Sequence, residues 1–277
     1  MSWRERDQTL RGLAFMAARD LARWGPVWEN APRPSTRETI ARYANLARRI
    51  LRRTGGVIVV SAPKSGRTWL RYMLDELGIH IQYTHANRTA ERPADMRGRL
   101  IHLHRDPRDT ITSVWHQRTS RRGSYAGTFT DLLRDPRLGL DATTRFNLFW
   151  GEHVAETGGL VTSYEALKQD TAAELMRIAQ FAAAGTIDRA RIVQAVEAGA
   201  FARMRELEES RKGAVLYGYA LAPRDFANPD SYKTRKGTVG DWRNAFSPDD
   251  ARWAENLLGS YGYLERMRTA QRSTQEN

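Results

Sequence analysis

One stretch constrains the fold of this chain more than any other: Val57-Ile58-Val59-Val60-Ser61-Ala62-Pro63-Lys64-Ser65-Gly66-Arg67-Thr68-Trp69-Leu70. Its four β-branched residues read as a buried strand. A Pro/Ser/Gly turn carrying Lys64 follows, then apolar residues at helical spacing (Leu70, Met73, Leu74, Leu77). A strand, a tight turn and a helix N-terminus make an anion site in α/β proteins, because the turn's N–H groups and the helix dipole both point at the ligand. Lys64, Ser65, Arg67 and Thr68 add charged and hydroxyl donors.

The rest of the chain repeats the alternation. Ile79–Tyr83, Leu100–His104 and Leu160–Tyr164 read as strands, and Gly78 as the C-cap of the first helix. Helices are expected from Pro107, over 143–156, 165–183, 187–198 and 200–209, and from Ser247-Pro248 to Gly259. Phe129–Leu140 is ambiguous. The basic segment Arg118–Gly127 reads as mobile, 211–240 as a long loop, and the polar tail over 265–277 as frayed. Toward the N-terminus, 9–24 carries a helical apolar pattern, three prolines follow, and Ser35-Thr36-Arg37-Glu38 resembles a capping box opening a helix to about Arg53. No internal repeat or second domain boundary interrupts 1–277, so a single domain is expected, with 1–35 an N-terminal helix and linker. The fold class is α/β: a phosphate-loop-type three-layer α/β/α sandwich with a central parallel sheet. Ligands of such sheets bind at the carboxyl ends of the strands. The loop 61–68, His85, Arg105 and Tyr164 all follow strands and should converge there.

Composition narrows the partners. Lys and Arg number 44 against 32 Asp and Glu, a formal charge of +12, which favours anionic ligands. The basic residues are scattered, the densest group being Arg48, Arg49, Arg52 and Arg53, and read as a solvated helix face rather than a nucleic-acid surface. With no cysteine, disulfides, thiolate metal sites and a cysteine nucleophile are excluded. No leader peptide is visible, and no apolar run approaches the ~20 residues that span a bilayer, so a cytoplasmic protein is expected.

A nucleoside-triphosphate loop reads G-x-x-x-x-G-K-S/T. The aligned segment here has Ser61 for the first glycine and Arg67 for the lysine, with Lys64 earlier. No strand ends in a metal-binding aspartate; the third ends Leu103-His104-Arg105, which calls for a second anion.

Three motifs, Pro63 to Leu70, Arg105 to Asp109 with Ser113 and Trp115, and Arg235 to Phe246, together resemble those of the PAPS-dependent sulfotransferases (PAPS, 3′-phosphoadenosine 5′-phosphosulfate). Pro63-Lys64-Ser65-Gly66-Arg67-Thr68-Trp69-Leu70 is similar to the family's 5′-phosphosulfate loop, P-K-S/T-G-T-T-W-L. Arg105-Asp106-Pro107-Arg108-Asp109 with Ser113 and Trp115 resembles its 3′-phosphate motif. Arg235-Lys236-Gly237 followed by Gly240-Asp241-Trp242-Arg243 and Phe246 resembles its C-terminal R-K-G-x-x-G-D-W signature. The motifs fall in the family's order over 57–246.

The resemblance implies roles. Lys64, Ser65, Gly66, Arg67 and Thr68 would hold the 5′-phosphate; Arg105, Ser113, Arg235, Lys236 and Gly237 would hold the 3′-phosphate. Trp69 would stack on the adenine and Tyr164 would hydrogen-bond its edge, with Phe201 a weaker match for a ring near it. His85, in the position of the family's Thr-His pair as Thr84-His85, would be the catalytic base, and Lys64 would neutralise the leaving oxygen. His80, His102 and His104 read as packing residues within strands, and His116 and His153 lie on helices. PAPS would be the sulfuryl donor and PAP the product. No metal is required in principle, since a sulfuryl group carries less charge than a phosphoryl group. The acceptor would be a small molecule, natural product or sugar. The alternatives are a nucleotide-dependent kinase on the same loop and a non-catalytic nucleotide- or nucleic-acid-binding protein. Three departures stand out: Arg67 replaces a threonine, Tyr83 occupies the place of a lysine before Thr84-His85, and Arg243–Asp250 lacks the dimerisation motif of the cytosolic animal enzymes, which leaves the oligomeric state open.

Overall fold

A computed structural model describes residues 56–86, 98–121, 123–183, 185–210, 221, 223 and 225–275. The expected helices over 9–24 and 35–53, the arginine cluster at 48–53 and most of the loop at 86–99 lie outside the described residues. Four strands form one sheet: β1 (Val57–Val60), β2 (Gln82–Thr84), β3 (Arg99–His104) and β4 (Leu160–Ser163). All neighbours are parallel, in the order β2-β1-β3-β4.

The run of four β-branched residues is explained by burial on both faces. Val57 and Val59 join one core with Ile101, Leu103 and Leu160 of the sheet and Leu70, Met73 and Leu74 of α1 (Arg67–Glu76). Ile58 and Val60 point the other way, into a core with Leu100, Val161, Phe146 and Trp150. Alternate residues thus feed two cores, the arrangement of a parallel sheet covered on both sides. The order β2-β1-β3 means that the chain leaves β1 toward one edge and returns to its other side. The crevice at that reversal, above β1 and β3, is where open α/β sheets bind ligands.

Between the strands run α2 (Pro107–His116), a π-helical turn (Gln117–Arg121), α3 (Phe129–Arg134) and α4 (Leu140–Glu156). After β4 come α5 (Tyr164–Gln169), α6 (Thr171–Ala183), α7 (Arg189–Ala198), α8 (Phe201–Glu209), α9 (Pro248–Ser260) and α10 (Tyr263–Ser273), with short 3₁₀ turns at Pro229–Ser231 and Asp241–Asn244.

Several elements differ from expectation. The second strand begins at Gln82 rather than Ile79: the Gly78 turn spends the Ile79 N–H on the Leu74 carbonyl, so Ile79 packs but does not pair. The helix expected over 165–183 is two, because Asp170 is extended and its carboxylate caps the second through the Ala173 N–H. The ambiguous stretch after Phe129 opens α3 through a capping box of Thr128 and Asp131. The basic segment read as mobile continues α2 as the π-helical turn and buries Arg121. The tail read as frayed is helical in α10 as far as Ser273. Its polar residues hide an apolar stripe, Tyr263, Met267 and Ala270, that packs with α4.

Candidate active site

The loop after β1 is the floor of the site. Ser61 N–H donates to the Thr84 carbonyl at 3.2 Å, tying the loop's start to the end of β2. Lys64 sits at φ 74° and Gly66 at φ 87°, both in the left-handed region. This turn brings the chain round to α1, whose first residues are Arg67, Thr68 and Trp69. Ser61 Oγ and Ser65 Oγ are buried without a hydrogen-bond partner among the described residues. A buried hydroxyl left so is costly unless a ligand meets it.

The other strands deliver to the same edge. His85 follows β2, and its Nδ1 lies 2.7 Å from the Ser61 carbonyl. A carbonyl only accepts, so Nδ1 carries the proton and the neutral ring has its lone pair on Nε2. Arg105 follows β3. It donates to the Thr238 carbonyl at 3.0 Å and, at 3.4 Å, to that of Lys64, and its guanidinium lies 4.4 Å from the centre of the Tyr164 ring. Its Nε is buried and has no hydrogen-bond partner among the described residues. Tyr164, the first residue after β4, is buried, and burial raises its hydroxyl pKa. The expected convergence of these four segments is met in the structure.

The C-terminal motif closes over them. Asp109, in the first turn of α2, accepts from Gly240 N–H at 2.7 Å and from Trp242 N–H at 2.9 Å, and stands 3.6 Å from Arg105. One buried carboxylate thus joins the second and third motifs. Asp241 accepts from Arg235 at 2.5 Å and from Lys236 at 2.9 Å; these donors hold its carboxyl below the ordinary range against the opposing effect of burial. A Cβ at Gly237 would stand 2.9 Å from the Phe201 ring, and one at Gly66 would stand 2.6 Å from the Tyr164 ring. Trp69 donates through Nε1 to the Gly199 carbonyl at 2.8 Å and meets Tyr164 edge-on, ring centres 5.8 Å apart. Ser113 is half-buried in α2.

The electrostatics are one-sided. Burial, then the charges of Arg121, Arg105 and Arg235, lower the Lys64 pKa to about 7, against the pull of Glu208. Burial, then Lys64, Arg121 and Arg67, take Lys233 well below the ordinary lysine value. Burial and then Arg71 lower Arg67 to about 10, with Tyr83 opposing. Cations crowded this way, with buried unpartnered donors among them, fit a polyanion. Among the described residues, no cluster of three His, Asp or Glu side chains could hold a metal ion, and no helix is long and apolar enough to cross a membrane.

Sequence reading missed Arg121, Lys233 and Glu208. Arg121 was hidden in a segment read as mobile. Lys233 lies two residues before the C-terminal motif, and only proximity to Arg235 could have flagged it. His102 and His104 are buried in the core, where burial lowers their pKa values to about 3 and about 4, in keeping with the packing role read for them.

A family model for the sulfotransferase domain matches residues 81–268. No curated protein sequence matches the chain. Among solved structures, a mouse sulfotransferase (SULT7A1) complexed with PAP is 21% identical, with a TM-score of 0.59, covering 79% of this chain and 88% of that one. Retinol dehydratase with androsterone and PAP is 14% identical, with a TM-score of 0.54, covering 80% and 85%. Retinol dehydratase with retinol and PAP is 17% identical, with a TM-score of 0.52, covering 74% and 80%. At these identities the likeness is one of fold.

Proposed function

The chain belongs to the sulfotransferase domain family, and from that premise we propose that it moves a sulfuryl group from PAPS to the hydroxyl of a small-molecule or carbohydrate acceptor. One observation carries the reading: a histidine with its acceptor nitrogen defined stands at the same sheet edge as two basic subsites, the Lys64 loop and the Arg105–Arg235 group. The donor nucleotide has two separated anionic ends, and the chain offers a cradle for each. The donors Ser65 Oγ and Arg105 Nε, buried and without a partner among the described residues, fit such a guest.

In this reading His85 Nε2 takes the proton of the acceptor hydroxyl as the acceptor oxygen bonds to sulfur. The sulfur–oxygen bond to the 5′-phosphate breaks, its electron pair stays on the phosphate oxygen, and the Lys64 ammonium neutralises that oxygen. Arg105 and Arg235 bind the 3′-phosphate, Asp109 and Asp241 hold the two motifs closed, and Trp69, Tyr164 and Phe201 frame the adenine. Transfer of this kind requires no metal ion in principle. Two of the similar structures hold androsterone and retinol, so apolar alcohols belong among the candidate acceptors beside phenols and sugars.

The test is transfer of labelled sulfate from PAPS across that panel, with ATP as the phosphoryl control. Transfer from PAPS and none from ATP is expected; phosphoryl transfer from ATP would replace this reading with a kinase. The His85→Ala variant should lose roughly 10²–10⁴-fold in turnover while binding PAP within about twofold of the parent, since Nε2 meets the acceptor and not the nucleotide. Full turnover by His85→Ala would remove the base assignment.

A further inference from the structure

Lys233 has no place in the three motifs, yet its ammonium reaches the first turn of α1. Lys233 Nζ donates to Thr68 Oγ1. The segment that carries it is fastened from behind. Glu208, buried to 1% exposure in the last turn of α8, accepts the Lys233 N–H on one oxygen at 2.5 Å and the Thr234 N–H on the other at 2.8 Å. Arg205 grips the Thr234 carbonyl at 2.9 Å. Backbone 233–234 is therefore clamped, and the lysine side chain runs forward from the clamp into the loop's anion site.

The chemistry of the contact distinguishes a ligand site from a simple tether. An ammonium has three N–H donors and no acceptor, so Thr68 Oγ1 must accept from it. The hydroxyl proton of Thr68 is then left free to donate to another group, and the ammonium keeps two further N–H donors. A tether between two segments needs no charge; here a lysine is taken out of water beside Lys64, Arg121 and Arg67, where a neutral donor would escape the repulsion. Glu208 is the carboxylate set against these cations, and burial and the three cations outweigh it, so a further anion would relieve the excess. Meanwhile Tyr83, the middle residue of β2, occupies the position where the family resemblance calls for a second lysine before Thr84-His85.

We propose that Lys233 is a second cationic contact to the 5′-phosphosulfate end of the donor nucleotide, supplying from the C-terminal segment the charge that β2 lacks. The inference rests on the sulfotransfer reading and deepens it. Lys233 shares with Lys64 the charge of the 5′-phosphate and directs the Thr68 hydroxyl onto it.

The experiment compares PAP with adenosine 3′-monophosphate, which lacks the 5′-phosphate, by calorimetric titration of the parent, Lys233→Met and Lys233→Arg proteins. Lys233→Met should weaken PAP by about 10-fold or more and leave adenosine 3′-monophosphate within about twofold. Lys233→Arg should keep most of the PAP affinity. Equal losses for both ligands would make Lys233 a structural tether, and no loss for either would leave it without a role in binding; both results overturn the proposal. If the parent protein transfers sulfate from PAPS and Lys233→Met still binds PAP normally, only the Lys233 assignment falls. If the parent neither transfers sulfate nor prefers PAP to adenosine 3′-monophosphate, the sulfotransfer reading falls and takes the assignment with it.

Discussion

At Gly66 the backbone turns with φ 87°, and a Cβ would come within 2.6 Å of the Tyr164 ring. Both the conformation and the space demand glycine, so Gly66→Ala should cost about 1–3 kcal/mol of stability from backbone strain and weaken PAP by displacing Tyr164. Denaturant unfolding and nucleotide titration check this; a variant as stable and as tight as the parent would contradict it. Residue by residue, the loop was legible because its chemistry is local: a lysine, hydroxyls and glycine in one turn. Arg67 was not. Its neighbours Arg71, Tyr83 and Lys233 come from α1, β2 and a segment beyond residue 230, and only folding assembles them.

Among elements, β3 shows how one strand serves two purposes. Its end supplies Arg105 to the site, while His102 and His104 of its interior face the core with Phe146 and Trp150. The rings of these two histidines stack 5.8 Å apart, and His102 Nδ1 lies 3.2 Å from the Val60 carbonyl. Their folded pKa values lie below the free value of 6.5, at about 3 and about 4, chiefly through burial. The unfolded chain therefore takes up protons first as the pH falls. Stability should drop between about pH 6.5 and 4, by at most about 1.4 kcal/mol per pH unit for each histidine. Urea unfolding from pH 7 to 5 measures the slope, and His102→Asn, which keeps a donor but does not titrate in this range, should flatten it. An unchanged slope would assign the acid sensitivity elsewhere. Strand and helix identities were largely legible from periodicity. Their ends were less so: Ile79 and Asp170 each follow a local hydrogen bond that no apolar pattern encodes, and α10 hides a narrow stripe among charged residues.

Across the whole molecule, the cations of the site come from the loop after β1, the edge of β3, the turn after α2 and the segment beyond residue 230. They crowd one another enough to bring Lys64 to about 7. An anion reverses that effect. Binding of PAP should therefore draw protons onto the protein near pH 8, and affinity should fall as the pH rises above 7, as Lys64 loses its charge in the ligand-free state. Calorimetry in buffers of different ionisation enthalpy detects the uptake; none at pH 8 would separate Lys64 from the anion.

The sequence alone determined the parallel α/β architecture and singled out the basic residues, Lys64, Arg105 and Arg235, that the fold brings near one another. Hydrophobic alternation and turn chemistry act over a few residues and are written in the chain. Tertiary structure alone decided which groups meet: Asp109 clasping Gly240 and Trp242, Lys233 on Thr68, and Arg121 buried beside Lys64. Those contacts depend on how the chain returns to one edge of the sheet after tens of residues or, for Asp109 and Lys233, more than a hundred. Charge is judged there by burial and by neighbours, neither of which a linear reading contains.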